Sequence, residues 1–222
     1  MLKIFVAQIS TYGRIVATVA KEAGLAHQTI PTDSKDPKHR ARHPFMRTPA
    51  VEIDGVTGAD GVKGADGITM YESAAICAYI DDVFNGGALQ PRDPLARARM
   101  RQWIAVADNY IFPLTEERLV LPRLVVPMMG RQPREDLIAE ALPAIRYYLQ
   151  VVEDRLAESP FLAGETFSLA DINMYCMAVP VALTSEGRAI LDNMDALQRW
   201  MAVCAMRPSL TATRWPMEVH TG

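Results

Sequence analysis

The sequence is poor in cysteine, in concentrated basic charge and in long apolar runs, and each shortage excludes a class of protein. Only three cysteines occur among 222 residues, Cys77, Cys176 and Cys204, far apart and with no C-x-x-C pair. That pattern fits reduced, buried thiols and not a disulfide framework. Zinc-site spacing is absent too, because His27, His39, His43 and His220 lie at no ligand spacing from a cysteine. His39 and His43 are four apart, but Pro37 and Pro44 argue against a helix through both, so no metal is expected. The formal net charge is -3, and the densest basic cluster is Pro37-Lys38-His39-Arg40. Nucleic-acid binding needs a concentrated basic face, so no nucleic-acid partner is expected. No apolar run approaches the roughly 20 residues that span a bilayer. The opening MLKIFVAQIS turns polar too soon for a signal peptide. A cytoplasmic protein without a membrane partner is therefore expected.

What is present is ordinary globular composition, 50% hydrophobic and 22% charged, with clear periodicity. Lys3 to Ala7 is a short β-rich run, followed by a polar loop from Gln8 to Gly13. Ile15, Val16, Val19, Ala20 and Ala23 recur at helical spacing until Gly24 stops the pattern. Leu25 to Pro31 can form a second strand, and Asp33 to His43 reads as a loop or a short irregular helix broken by Pro37. Strands are expected after Pro49 and over Ile68 to Tyr71, then a helix from Glu72 to Phe84 with Ser73 as its cap. Between these two strands GADG is written twice, from Gly58 and from Gly64. It reads as an extended hairpin loop, since Asp60 and Asp66 alone make a poor calcium site.

Asn85 to Pro94 is a turn-rich linker, and the pattern beyond it is helical. One helix is expected from Leu95 to about Leu121, interrupted near Pro113, and another from Arg134 to Glu158, kinked or shortened at Pro143. A third opens at Phe167 to Asp171 with Ser168 and Asp171 as a structural capping box, and a fourth runs from Asp195 to Met206. The expected architecture is α/β plus all-α: residues 1–84 as one domain, 85–94 as linker, and 95–222 as an all-helical bundle.

MRTPAVEID raises a specific question, because Pro49 stands at the head of a strand and cannot donate to a ladder. A proline that merely begins an edge strand is one answer. The other is a cis-proline, and the β-α-β then β-β-α order ahead of the linker is the thioredoxin-like pattern, in which that proline is cis. The backbone of Thr48 would then face an extended, peptide-like ligand, as an added strand would.

Thr48-Pro49-Ala50-Val51 with Glu72-Ser73-Ala74-Ala75-Ile76 resembles the paired signature of cytosolic glutathione transferases. Phe167-Ser168-Leu169-Ala170-Asp171 after Gly164 resembles that family's capping motif, and the resemblance spans essentially the whole chain. It implies glutathione as co-substrate, an N-terminal thioredoxin-like domain, and a homodimer. Glu72 would take the ammonium of the γ-glutamyl group, and Ser73 with the helix N-terminus its carboxylate. The chemistry implied is activation of a thiol whose ordinary pKa is about 8.5. Ser10-Thr11-Tyr12-Gly13-Arg14 resembles the serine-type classes (phi, zeta and theta-like), with Ser10 as the activating hydroxyl and Tyr12 as an aromatic wall or backup donor. Tyr12 at the place of a zeta-like cysteine argues against disulfide-forming chemistry.

The sequence also departs from the family pattern. Thr48 replaces a valine, Met46-Arg47 replaces a glycine, and the Gly58–Gly67 loop is long. Lys35, His39 and Arg40 all offer a partner for the glycyl carboxylate, with Lys35 preferred by spacing. Trp103 and Tyr110, with Phe112, Met128, Met129 and Met174, are candidates for an apolar electrophile pocket. The run from Glu72 to Phe84, then Leu89 to Pro94, Arg97 and Met100 to Trp103, is similar to bacterial transferases that cleave aryl ethers. The alternative to an enzyme is a transferase-like domain used only for protein assembly.

Overall fold

In the computed structural model, which describes residues 1–7, 9–55 and 67–219, the chain falls into two compact units. The first is Met1–Arg92 with Arg207–Pro216, and the second is Asp93–Met206 with Met217–Gly222. The GADG repeat except its last residue, Gly67, lies outside the described residues, Asp60 and Asp66 with it, as does His220.

The first unit is built on a four-stranded sheet in the order β2-β1-β3-β4. Its strands are β1 (Leu2–Val6), β2 (His27–Pro31), β3 (Ala50–Ile53) and β4 (Ile68–Tyr71). β1 pairs in parallel with β2, and β3 runs antiparallel to both β1 and β4. Helices α1 (Thr11–Glu22) and α2 (Ser73–Phe84) pack on each other, burying Val16, Val19, Ile76 and Ile80 completely. A Cβ on Gly13 would lie 2.0 Å from Val6 Cγ2, so the first turn of α1 sits on β1 at a distance only glycine permits. At the end of α2, the buried carboxylate of Asp81 accepts from Asn85 Nδ2, the Leu89 amide and Gln90 Nε2, tying the turn-rich segment to the helix.

Arg207–Pro216 departs from chain order. Instead of staying with the helices before it, this segment packs on α1. Arg207 donates twice to Glu22, Ser209 Oγ donates to the same carboxylate, Thr18 and Thr213 share a hydrogen bond, and Arg14 lies over the Trp215 ring.

The second unit is helical. α3 (Pro94–Val106) passes into a π-helical turn (Ala107–Ile111), α4 (Phe112–Thr115) and a second π-helical stretch (Glu116–Val125). The expected interruption at Pro113 therefore does not occur. The widened turn ahead of Pro113 accommodates its missing N–H within a continuous helical path. Likewise α5 (Glu135–Glu158) runs through Pro143. Helix α6 (Leu169–Ala182) is apolar all round and buried almost throughout, as a central helix must be. Its Ser168–Asp171 capping box forms as expected, and Asp171 also accepts from Trp200 Nε1 and the Leu162 amide. α7 (Ser185–Leu191), α8 (Asp195–Ala205), α9 (Pro208–Ala212) and α10 (Pro216–Val219) follow, with α9 belonging to the first unit. All three cysteines are buried thiols outside any disulfide.

Candidate active site

The strand register decides which loops meet. Val6 pairs with Pro31, Phe5 with Ala50, and Ala50 with Tyr71. Because β3 is antiparallel to its neighbours, its start lies beside the ends of β1 and β4, and the end of β2 lies on the far side of β1 at the same end. Ser10, Lys35, Thr48-Pro49 and Glu72 each lie within a few residues of one of those strand termini. The register thus brings the candidate residues of the first unit to one end of the sheet.

Ser10 is the N-cap of α1, and its Oγ accepts from the Gly13 amide at 3.1 Å. Cap and hydroxyl donor are compatible roles, since accepting that bond leaves the O–H hydrogen free to point elsewhere. The half-buried hydroxyl stands where the first amides of α1 concentrate positive potential. A cavity of about 300 Å³ flanks α1, and Ala7, Ser10, Lys21 and His27 are among the residues that line it. Burial holds the His27 imidazole below its ordinary range, with Lys21 adding to that effect against the Leu25 carbonyl.

The Thr48–Pro49 peptide is cis, as the thioredoxin-like order of elements implied. Thr48 is half-buried and Pro49 buried. Two residues earlier Met46 has φ +56°, a left-handed conformation at the place where the sequence lacks the family's glycine. Glu72 has φ +69° and is itself the N-cap of α2, without a capping side-chain bond. Ser73 is therefore not the cap expected from sequence but the first helical residue, and it is buried. A non-glycine residue held in the left-handed region at a helix entrance is an unfavourable arrangement that surrounding structure must impose. The Glu72 carboxylate remains 66% exposed.

Among the three basic candidates of the loop, His39 is excluded as a surface contact. It is buried, and its Nε2 is 2.7 Å from the Arg47 carbonyl. Lys35 and Arg40 are exposed, and the Lys35 amide donates to Asp33 Oδ1 at 2.8 Å. Arg42 is committed to Glu52 at 2.7 Å and lies over the Phe5 ring.

His43 had no role in the sequence beyond its spacing from His39. It is buried, and its Nε2 approaches Glu72 Oε1 at 3.9 Å. The signal that could have found it is long-range, since His43 and Glu72 lie on different elements.

The remaining candidates fall elsewhere. Tyr12 is half-buried in the first turn of α1. Trp103 and Tyr110 belong to the second unit, the former half-buried on α3 and the latter exposed, with its ring edge-on to Tyr148 at 6.2 Å. Met174 is a buried core residue of α6, whereas Met128 and Met129 are exposed. No group of three His, Cys, Asp or Glu side chains among the described residues could hold a metal ion.

Two family models match the chain. Residues 9–83 match "Glutathione S-transferase, N-terminal domain", and residues 117–208 match "Glutathione S-transferase, C-terminal domain". A probable glutathione S-transferase of Oryza sativa subsp. japonica is 28% identical over 214 residues, covering 94% of this chain and 93% of that protein. Glutathione S-transferase 3 of Zea mays is 28% identical over 219 residues, covering 96% and 92%. Among solved structures, glutathione S-transferase I bound with lactoylglutathione superimposes with a TM-score of 0.82 at 26% identity, covering 96% of this chain and 97% of that one. Glutathione S-transferase I from maize, in complex with an atrazine glutathione conjugate, gives a TM-score of 0.83 at 25% identity, covering 100% and 99%.

Proposed function

The chain belongs to the glutathione S-transferase family, and from that premise we propose that Ser10 is the hydroxyl with which this enzyme activates the thiol of its co-substrate glutathione. The observation that carries the reading is the convergence of Ser10, Thr48-Pro49 and Glu72 at one end of the sheet. Ser10 Oγ, fixed by the Gly13 amide, donates its hydrogen to the glutathione sulfur. A donor aimed at the thiolate, with the α1 N-terminus behind it, favours the charged form and lowers the thiol pKa. The Thr48 backbone pairs with the cysteinyl unit as an added strand would. Glu72 receives the γ-glutamyl ammonium, and the first turn of α2 with Ser73 receives the carboxylate beside it. Lys35 is the partner of the glycyl carboxylate. Tyr12 forms an aromatic wall beside the sulfur, and Trp103 and Tyr110 contribute to binding the electrophile.

For the electrophile we propose an aromatic compound, and specifically thiolytic cleavage of an aryl ether. The support is the likeness of the segments from Glu72 to Trp103 to bacterial transferases of that activity. The thiolate attacks the ether carbon, a C–S bond forms, the C–O bond breaks with its electron pair, and the leaving phenolate takes up a proton. The enzyme acts as a homodimer in the cytoplasm in this reading.

The deciding experiment is the ultraviolet thiolate absorbance of bound glutathione across pH, for wild type and Ser10→Ala. A thiol pKa lowered in the wild type and restored in the variant is the expected result, with a loss of about 10²–10³ in kcat/KM for one missing donor. A lowered pKa that survives in Ser10→Ala moves the role to Thr11 or Tyr12. No binding of glutathione favours the protein-assembly alternative.

A further inference from the structure

The environment of His43 is unusual for a residue beside a ligand-binding carboxylate. Its side chain is 3% exposed, and its ring is walled by Tyr71 at 4.9 Å and Phe45 at 6.3 Å, centroid to centroid. The ring of His39 stands 6.2 Å away. His43 Nδ1 is buried with no hydrogen-bond partner, whereas Nε2 faces Glu72 Oε1 at 3.9 Å. A lone pair aimed at a carboxylate is repelled, so the neutral ring carries its hydrogen on Nε2. A second proton must go to the orphaned Nδ1.

We propose that His43 is a positioning residue for glutathione, whose neutral ring orients the Glu72 carboxylate toward the γ-glutamyl ammonium and whose protonated ring competes with that ammonium for it. The proposal rests on the glutathione reading of Glu72 given above. In the neutral state the Nε2–H dipole draws one carboxylate oxygen and leaves the other for the substrate. In the protonated state a full positive charge lies within ion-pairing distance of a carboxylate that can satisfy only one cation well. The groups facing His43 are Glu72 at the entrance of α2, His39 and Arg47 on the loop before Thr48, and the Tyr71 ring at the end of β4. Burial holds the imidazole below its ordinary range. Glu72 opposes that effect, and the charges of His39 and Arg47 add to it. The neutral, orienting form thus prevails at neutral pH, and competition sets in only on acidification.

S-methylglutathione is the probe, because it lacks an ionisable thiol and so separates this effect from thiol activation. Its affinity for the wild type, measured by calorimetry, should fall about threefold between pH 7.5 and 5, as expected for one partly exposed charge pair. The fall should vanish in His43→Gln, whose amide keeps a donor but cannot be protonated. By reciprocity, saturating ligand should make His43 about threefold harder to protonate, read from its ring-proton resonance in an NMR titration of the wild type. That titration stands even if His43→Gln fails to fold. A pH dependence that persists in His43→Gln, or a His43 titration that the ligand does not move, would overturn the proposal while leaving the glutathione reading intact. Absence of binding by the wild type at any pH would overturn that reading and the proposal with it.

Discussion

The buried His39 lends its Nε2 to the carbonyl of Arg47 at 2.7 Å, a half-buried bond that spans eight residues and ends one residue short of Thr48. A carbonyl can only accept, so Nε2 carries the hydrogen, and the short 3-10 helix Pro37–Ala41 serves to present this donor. Replacing the ring by leucine would leave the Arg47 carbonyl without its donor and release the backbone entering the cis-proline turn. His39→Leu is expected to raise KM for glutathione about tenfold, the effect of one lost hydrogen bond, with kcat changed less than about twofold. Steady-state kinetics at saturating electrophile measure both. An equal fall in kcat would instead assign His39 to the chemical step.

Met46 occupies φ +56° three residues ahead of Pro49. A side chain in that region costs about 1–2 kcal/mol relative to a right-handed conformation. Met46→Gly is expected to stabilise the protein by about 0.5–1 kcal/mol, part of the relief being offset by the greater freedom of glycine in the unfolded chain. Urea denaturation with an unchanged m-value would confirm it, and a loss of stability would show that the methionine side chain contributes more by packing than its backbone costs.

Glu116 opens the second π-helical stretch, and burial pushes its carboxyl up to about 7. A carboxyl raised on folding is held most comfortably protonated. Its contribution is complete below the ordinary carboxylate range and is lost as pH rises through about 7. Glu116→Gln removes the charge and keeps the shape. The variant is expected to be more stable than wild type at pH 8 by about 2 kcal/mol and nearly equal to it at pH 4.5. Thermal unfolding at the two pH values is the measurement, and an equal difference at both would overturn the assignment.

Glu22 shows the opposite sign. Burial alone would raise its carboxyl, but hydrogen bonds from Arg207 and Ser209 and the charge of Arg207 outweigh it and hold the group below its ordinary range. A depressed carboxyl contributes stability above its unfolded pKa and loses it as pH falls through the folded one. Arg207→Ala is therefore expected to destabilise by about 1–2 kcal/mol at pH 7, as for a partly buried bidentate pair. The gap to wild type should close as the solution is taken into the acid range. Denaturant titrations of both proteins across pH test this.

How much of this was legible in the sequence differs from element to element. Helices α1 and α2 were readable from apolar spacing, because a helix is fixed by neighbours three and four residues away, whereas α6, apolar all round, was readable only from its opening motif. The Ser168–Asp171 capping box was readable for the same reason, its chemistry being local, whereas MRTPAVEID alone left the cis-proline open and the order of elements around it pointed to it. Ser73 was misread as a cap because nothing in the sequence reveals that Glu72 takes a left-handed conformation. The helix path through Pro113 was misread because π-helical widening leaves no signature in residue type.

The sequence by itself determined which segments are strand or helix and which residues carry polar chemistry in the loops between them. Only the tertiary structure decided that those loops share one end of the sheet, because register sets which strand ends coincide. It alone brought Arg207–Pro216 back to α1 across 185 residues and set His43 against Glu72. Such contacts join residues distant along the chain, and local periodicity carries no information about them.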